Sequence, residues 1–327
     1  MAGHHDPDLY FDDGNIVLSV KDGKQQTIYF RLYKGILAKN SPVFSDMLAM
    51  PSPPAMDQYD EAPLVEMPDD ADDLRALLFL LFTPDSISGL LNSPRFPRKL
   101  LEPTRLAKKY QVDWILQAVA SQLQKSWPTT LLGWDRAITN DHEQTSLMFS
   151  GGPMHNDGTL EFPLLPEPVS SIHLARLCDT PAILPFAFYR LLTWPIIDDD
   201  NDAEAEFYGC KNAPCEELIA EDWPRLVKAW KRVGDWFADE VSSVPSNTCP
   251  NRPPCQQDAS AWFSFSQNVG RNGDFLAFSR FDATTHSALL NGLCPLCKPI
   301  IQEQIKALRW EFAGQLSHFF QLDGGTV

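Results

Sequence analysis

Short runs of β-branched and aromatic residues near the start of the chain predict a small β-sheet. Ile16 to Val20 and Thr27 to Leu32 have this composition, which favours strands. Between them Asp22-Gly23-Lys24 is typical of a hairpin turn. A third run, Leu64-Val65-Glu66-Met67, predicts another strand further along the chain. The pattern therefore indicates a hairpin that is later joined by a third strand.

Apolar residues with helical spacing surround these strands. From Arg31 to Met50 they recur in two pieces that are broken at Ser41-Pro42, where Ser can cap a helix and Pro can start one. The Pro-rich stretch Pro51 to Pro63 predicts a loop. After Asp69-Asp70, an N-cap signal, leucines at i, i+3, i+4 and i+7 predict a helix that ends at Thr83-Pro84.

Helical and irregular patterns alternate in the rest of the chain. Helical spacing predicts helices within Leu100 to Tyr110, Val112 to Trp127, Val169 to Trp194, Cys215 to Asp239 and Leu293 to Phe312. From Gly133 to Pro168 the periodicity is lost and turn-forming residues accumulate, which predicts a linker or a flexible insertion. The apolar stripe of the last helix favours a place in the core, and a docking face for a partner helix is the alternative.

The opening strands and helices also follow a known order of motifs. After the polar turn and the two strands come Ile36, Leu37, Ser41 and Phe44, at the spacing found in BTB (POZ) domains, which the segment resembles. Lys34 stands where that family commonly has His. The run Leu106 to Val112 is similar to the closing helices of the same domain.

A second likeness lies further along the chain. The string Leu184-Pro185-Phe186-Ala187-Phe188-Tyr189 resembles the helical region that follows the BTB domain in many fungal members. The two likenesses imply an α+β fold, in which a BTB/POZ domain with a small sheet flanked by helices precedes a mostly α-helical C-terminal domain. The expected organisation is a tail over 1–9, a BTB/POZ-like domain over 10–127, a linker or insertion over 128–168, a helical domain over 169–322 and a tail over 323–327.

The resemblance also implies that a surface, and not a cleft, carries the activity. We expect the face around Phe44, Met47 and Leu48 to bind a partner or to hold the module together, with Phe44 in the core. The implied partners are another BTB chain, a cullin scaffold or a transcriptional co-regulator.

Composition and charge restrict the other classes of partner. The chain of 327 residues has 27 basic and 43 acidic residues, a net charge of −16 and a pI near 4.8, so its field repels nucleic acid and anionic membranes. The basic residues are interpreted as scattered singly or in pairs such as Lys108-Lys109. An N-terminus without an apolar run and the lack of a long apolar segment indicate an intracellular protein in the cytoplasm, the nucleus or both.

Seven cysteines supply the main candidate for metal chemistry. Cys294 and Cys297 form a C-x2-C pair, and Cys249 and Cys255 form a C-x5-C pair in a Pro-rich stretch. Four thiolates suit a tetrahedral structural zinc. The alternatives are ordinary thiols, or a different site that includes the pair Cys210 and Cys215.

Motifs for catalysis are not found in the sequence. It has no G-x-S-x-G elbow, H-E-x-x-H, Walker loop or G-x-G-x-x-G. The leading hypothesis is a non-enzymatic adaptor or regulator that binds proteins. The alternatives are a zinc-containing transcription regulator and a substrate adaptor of a cullin-type ubiquitin ligase.

Overall fold

A computed structural model of the chain describes residues 3–50, 57–93, 96–139, 165–193, 218–242, 276 and 294–322. By its internal contacts the chain forms two units. Unit 1 comprises Met1–Lys125 and His173–Thr180, and unit 2 comprises Ser126–Ile172 and Pro181–Val327. The protein has an α+β fold, as the sequence predicts.

Unit 1 contains a mixed five-stranded sheet. The strands are β1 (His4–Tyr10), β2 (Ile16–Lys21), β3 (Thr27–Leu32), β4 (Gln58–Tyr59) and β5 (Ala62–Glu66). They lie in the order β1-β3-β2-β5-β4, with β1 parallel to β3, β2 antiparallel to β3 and parallel to β5, and β4 antiparallel to β5. The central strand β2 is buried on both faces, as strands covered on both sides are.

Two features of this sheet correct the sequence predictions. The expected tail over 1–9 largely forms β1, which pairs with β3 at His4, His5 and Tyr10, with an irregular register between His5 and Tyr10. The expected loop Pro51 to Pro63 contains β4 and the start of β5. Both strands were missed because their sequences are short or polar, and pairing with neighbouring strands holds them in place.

Helices of unit 1 follow the predicted order. They are α1 (Lys34–Asn40), α2 (Pro42–Ala49), α3 (Ala71–Phe82), α4 (Ser86–Leu91), α5 (Phe96–Lys109) and α6 (Asp113–Ser126), whose last residue belongs to unit 2. The break between α1 and α2 lies at Ser41, whose Oγ accepts a hydrogen bond from the Phe44 backbone N at 3.0 Å. Asp70 caps α3 by accepting from the backbone N of Asp72 and Asp73. These caps satisfy amide groups that the first turn of a helix leaves unpaired.

The core of unit 1 lies between the sheet and these helices. In α3 the predicted leucine face is buried, and it comprises Leu74, Leu77, Leu78 and Leu81. In α6 the buried residues are Ile115, Val119 and Leu123, whereas Leu116, which the spacing places on this face, is only half-buried. The predicted helical spacing is therefore right for both helices, with a small rotation of the α6 face.

Unit 2 is helical in its described parts. It holds α7 (131–139), α9 (Leu184–Leu192) and its preceding 3₁₀ turn (Pro181–Ile183), α10 (Asp222–Ser242) and α11 (Cys297–Phe319). The boundary between the units falls within α8 (Pro168–Leu177). The expected linker over 128–168 is thus wrong for its first part, because Leu131, Trp134 and Ile138 are buried along α7. The last helix begins and ends later than the predicted Leu293 to Phe312.

Aromatic side chains fill the core of unit 2. Trp134 of α7 lies against Phe186 and Tyr189 of α9, with ring centroids 5.4 Å apart in both pairs. Phe312 of α11 continues the cluster, 5.7 Å from Tyr189 and 5.2 Å from Trp236 of α10. Such contacts add to the gain from burial, and they join four helices in one core.

One buried ion pair also lies in this core. Arg309 of α11 is 8% exposed, and its Nη2 donates to the Asp135 carboxylate of α7 and to the Leu276 carbonyl oxygen at 3.1 Å. The Leu276 backbone N in turn donates to the Tyr189 hydroxyl at 2.9 Å. The pair therefore links two helices that are far apart in sequence.

Within the described residues no helix has both the length and the apolar character needed to cross a membrane.

We predict that Phe44→Ala lowers the free energy of unfolding of unit 1 by about 3 to 5 kcal/mol. Phe44 is fully buried, and its ring stacks on Tyr110 at a centroid distance of 4.5 Å, so truncation leaves a cavity. Thermal and urea unfolding followed by circular dichroism measure the change. Met50→Ala is the control, because Met50 is 67% exposed and should change the stability by less than about 0.5 kcal/mol. An equal effect of the two variants would contradict the burial of Phe44.

We predict that Asp135→Ala destabilises unit 2 by about 2 to 4 kcal/mol, because it leaves the buried Arg309 guanidinium without its carboxylate. The side chain of Asp135 is 27% exposed, so water offsets part of the loss. The double variant Asp135→Ala with Arg309→Met removes both charges and should regain most of the lost stability. Urea unfolding of the three proteins tests this, and a double variant as unstable as the single one would contradict it.

Candidate functional site

The predicted interaction residues lie on α2, which is held in place by Ser41. The Ser41 Oγ donates to the Tyr110 carbonyl oxygen at 2.5 Å while it accepts from the Phe44 amide. Tyr110 follows α5, so one hydroxyl joins the start of α2 to the end of α5. Pro42 occupies the first turn of α2 and requires no amide partner there. The first turn of α2 is consequently fixed against the core.

Around Tyr110 a polar network extends this anchor. Its hydroxyl donates to the Asp69 carboxylate, which also accepts from Lys109 Nζ, and the side chain of Asp69 is only 4% exposed. Burial, followed by the hydrogen bond to Asp69, raises the pKa of Tyr110 above its usual range. The phenol therefore stays protonated at neutral pH and acts as a donor. Since Asp69 directly precedes the capping residue of α3, the network joins α3 and α5.

The three predicted residues of α2 differ in their burial. Phe44 is in the core, as predicted, so it cannot touch a partner. Met47 and Leu48 are half-buried. Met50, directly after the helix, is 67% exposed. We call Met47, Leu48 and Met50 the α2 surface.

The sequence did not predict that Met50 is an exposed site residue, because the helical pattern only ends at this residue. A signal was nevertheless present, since Met47 and Met50 are three residues apart and the Pro-rich stretch begins directly after Met50. Methionine is flexible and polarisable, and it adapts to varied apolar partners. The α2 surface therefore presents flexible apolar side chains.

A second cluster of unit 1 surrounds β1. The His5 ring stacks on Tyr10 at 3.7 Å, and its Nε2 lies 3.1 Å from the Tyr59 hydroxyl. Tyr59 in turn stacks on Tyr29 at 4.0 Å. The Tyr10 hydroxyl donates to the Asp60 carboxylate. Burial, then this hydrogen bond, raises the pKa of Tyr10 well above its usual range, so the cluster fastens β1 and β4 with protonated phenols.

On its other side β1 is held by an ion-pair group. Arg75 Nε donates to Asp6 at 2.7 Å, and Arg75 Nη2 donates to Asp8 at 2.5 Å. Asp6 also accepts from the backbone N of Asp8 and Leu9, each at 3.0 Å. The hydrogen bond to Asp6 is the main cause of the raised pKa of Arg75. These charged residues are therefore partnered with one another and stabilise the strand.

The predicted zinc ligands are only partly within the described residues. Cys249 and Cys255, like Cys210 and Cys215, lie outside them. Cys294 is 7% exposed, and Cys297 is the first residue of α11, with a side chain that is also outside the description. In the described part of the chain no group of three or more His, Cys, Asp or Glu residues is placed to hold a metal ion. The zinc site stays a prediction.

The distribution of basic residues differs from the sequence interpretation. The eight residues from Arg225 to Arg232 contain four cations and no acid, interleaved with Trp230. All of them lie on α10. The interpretation that the basic residues are scattered singly or in pairs overlooked how closely they follow one another here, because the net charge of the whole chain concealed a local cluster.

No protein-family model, curated protein or solved structure matches the chain.

We predict that Cys178 reacts slowly with iodoacetamide. Burial raises the pKa of its thiol to about 11, and the neighbouring charge of Lys108 offsets this only in part. The thiolate is the reacting species, so at pH 8 the rate should be at least about tenfold below that of the same cysteine in the urea-unfolded chain. Mass spectrometry of the peptide that contains Cys178 measures both rates. Rates within about twofold of each other would contradict the burial of the thiol.

Proposed function

We propose that the protein is a non-enzymatic adaptor or regulator that binds other proteins through a BTB-type module in unit 1. The observation that carries the proposal is the α2 surface, where a helix anchored by Ser41 ends in the exposed side chain of Met50. Anchored backbone with adaptable apolar side chains is the arrangement that protein recognition uses.

The order of elements in unit 1 supports the BTB-type assignment. A hairpin (β2 and β3) precedes the helix pair α1 and α2, and β5 and four further helices follow. This is the order that the sequence resemblance implies. The motif residues also have structural roles that explain their spacing, because Leu37 and Phe44 are buried and Ser41 caps α2.

Charged and phenolic groups of unit 1 support a binding role as well. Asp6 with Arg75, and Asp69 with Lys109 and Tyr110, are engaged in pairs that fasten strands and helices. Their chemistry is used for stability, and the accessible side chains at the end of α2 include the apolar Met47, Leu48 and Met50 beside the exposed Asp46. The proposed partners are a second BTB chain, a cullin scaffold or a transcriptional co-regulator, in the cytoplasm or the nucleus.

Met50→Asp in the full chain tests the proposal. A charge on the α2 surface should weaken partner binding by about tenfold or more, the loss typical of a central interface residue, while the melting temperature stays unchanged. Quantitative mass spectrometry of proteins captured from a lysate of the native source identifies the partners. Titration with a purified cullin tests binding to a cullin scaffold, and sedimentation of the chain alone tests binding to a second copy. Gln117→Asp is the matched control, since Gln117 is exposed on α6 of the same unit. Equal retention of every partner by the two variants would remove the α2 surface from the proposal.

A further inference from the structure

Helix α10 has two apolar faces. One face is buried, with Ala229, Val233 and Phe237 at 0%, 5% and 7% exposure. The helix packs with this side against α9 and α11. Three further large apolar side chains of the helix, Trp223, Val227 and Trp230, are exposed.

We call this second face the tryptophan stripe. It consists of Trp223, Val227, Trp230 and Gly234, at i, i+4, i+7 and i+11, so the four residues lie along one side of the helix. The exposures of Trp223, Val227 and Trp230 are 47%, 68% and 43%. At Gly234 no atom other than those of the neighbouring residues and backbone of α10 itself lies within 4 Å of where a Cβ would be. The stripe therefore presents two large aromatic rings and a bare section of helix backbone.

Exposure of this kind is unusual for a surface without a partner. Tryptophan has the largest apolar area of any side chain, and it is enriched among the residues that dominate binding energy. Scattered single hydrophobic residues on a surface are normal, whereas a continuous row marks an interaction site. The stripe extends over three turns, or about 17 Å, the length of a short helix.

Helix α10 carries four positive charges, which differ in their partners. Arg225 and Arg232 are engaged within unit 2, the first with Asp222 at 3.5 Å and over the Phe188 ring, and the second with the Phe319 carbonyl oxygen at 2.7 Å. Lys228 and Lys231 are exposed, and neither is in an ion pair within the part of the chain that the structure describes. Lys231 is four residues after Val227 and therefore lies beside the stripe, and Lys228, three residues before Lys231, lies next to it on the same side.

We propose that the tryptophan stripe binds a short amphipathic helix of a partner protein, with acidic residues beside its apolar face. The apolar side chains of the ligand cover Trp223, Val227 and Trp230, and its carboxylates meet Lys228 and Lys231. Recognition of an amphipathic helix by an apolar face with complementary charges is a recurrent mode of binding. It adds a second interaction surface, in unit 2, to the one proposed on α2.

Charge distinguishes this ligand from the other candidates. A nucleic acid or an anionic membrane meets the field of a chain with net charge −16, and Glu221 and Asp235 stand at the two ends of the cationic segment. A second copy of the chain brings the same net negative charge and the same lysines. A short acidic helix carries only a few carboxylates, so this field repels it less than a polyanion, and its apolar side chains also gain contact with the stripe.

Fluorescence anisotropy with the full chain tests the proposal. The probe is a fluorescein-labelled synthetic peptide of about 15 residues, long enough for a marginal helix, with Leu at helical spacing and Glu elsewhere. A second peptide has Lys in place of Glu. We expect the acidic peptide to bind more tightly, and Trp230→Ala to weaken it by about tenfold. Lys228→Glu with Lys231→Glu should reverse the preference between the two peptides.

Matched controls lie on α11 of the same unit. Trp310 is 63% exposed and Lys306 is exposed beside Glu303, so Trp310→Ala and Lys306→Glu should leave peptide binding unchanged. The proposal would be overturned if wild type and Trp230→Ala bound the acidic peptide with equal affinity. It would also be overturned if Trp310→Ala or Lys306→Glu weakened binding as much as Trp230→Ala does. So would stripe-dependent binding of a fluorescein-labelled oligothymidine or of anionic phosphatidylserine vesicles in place of the peptide, or stripe-dependent dimerisation in sedimentation.

Discussion

The hydroxyl of Ser41 is the contact on which the arrangement of unit 1 depends. It accepts from the Phe44 amide and donates to the Tyr110 carbonyl oxygen, so it caps α2 and ties that helix to the end of α5. The Phe44 and Tyr110 rings then stack in parallel, and the Tyr110 hydroxyl reaches Asp69 ahead of α3. A buried hydroxyl with both its roles satisfied is stabilising, whereas one left unpaired is costly. Three helices are thus joined by one connected group of polar contacts around Tyr110.

The helices of unit 1 could be predicted from sequence because local signals agree there with tertiary packing. Asp70 is a strong cap, and the leucines of α3 have helical spacing that the structure buries. The strands β1 and β4 lacked such signals. The polar sequence of β1 is held by pairing with β3 and by Arg75. The turn between β4 and β5 has Asp60 and Glu61 at φ of 48° and 61°, the conformation of a tight hairpin that Asn-Gly usually announces.

Helix α7 shows how a single residue can conceal a regular pattern. Gly133 marks the point where the sequence suggests a linker, although Leu131, Trp134 and Ile138 around it have helical spacing and are buried. The cost of glycine in a helix is about 1 kcal/mol, which the burial of one tryptophan exceeds. For the candidate site, the role of Phe44 in the core followed from spacing. The exposure of Met50 did not, because it depends on where the chain leaves the helix.

Helix α10 shows why burial cannot be inferred from hydrophobicity alone. The apolar residues Leu226, Val227 and Trp230 have the spacing of a helix, yet Val227 and Trp230 are exposed and the fully buried positions include the small residue Ala229. Covering both exposed tryptophans would remove more apolar area from water than covering Ala229 does. Each Å² of apolar area that is buried lowers the free energy by about 25 cal/mol. Folding of unit 2 does not bury the two tryptophans, because α9 and α11 pack against the other face of α10. The same area is available to a ligand, and Lys228 and Lys231 determine the sign of the charge that the ligand must carry.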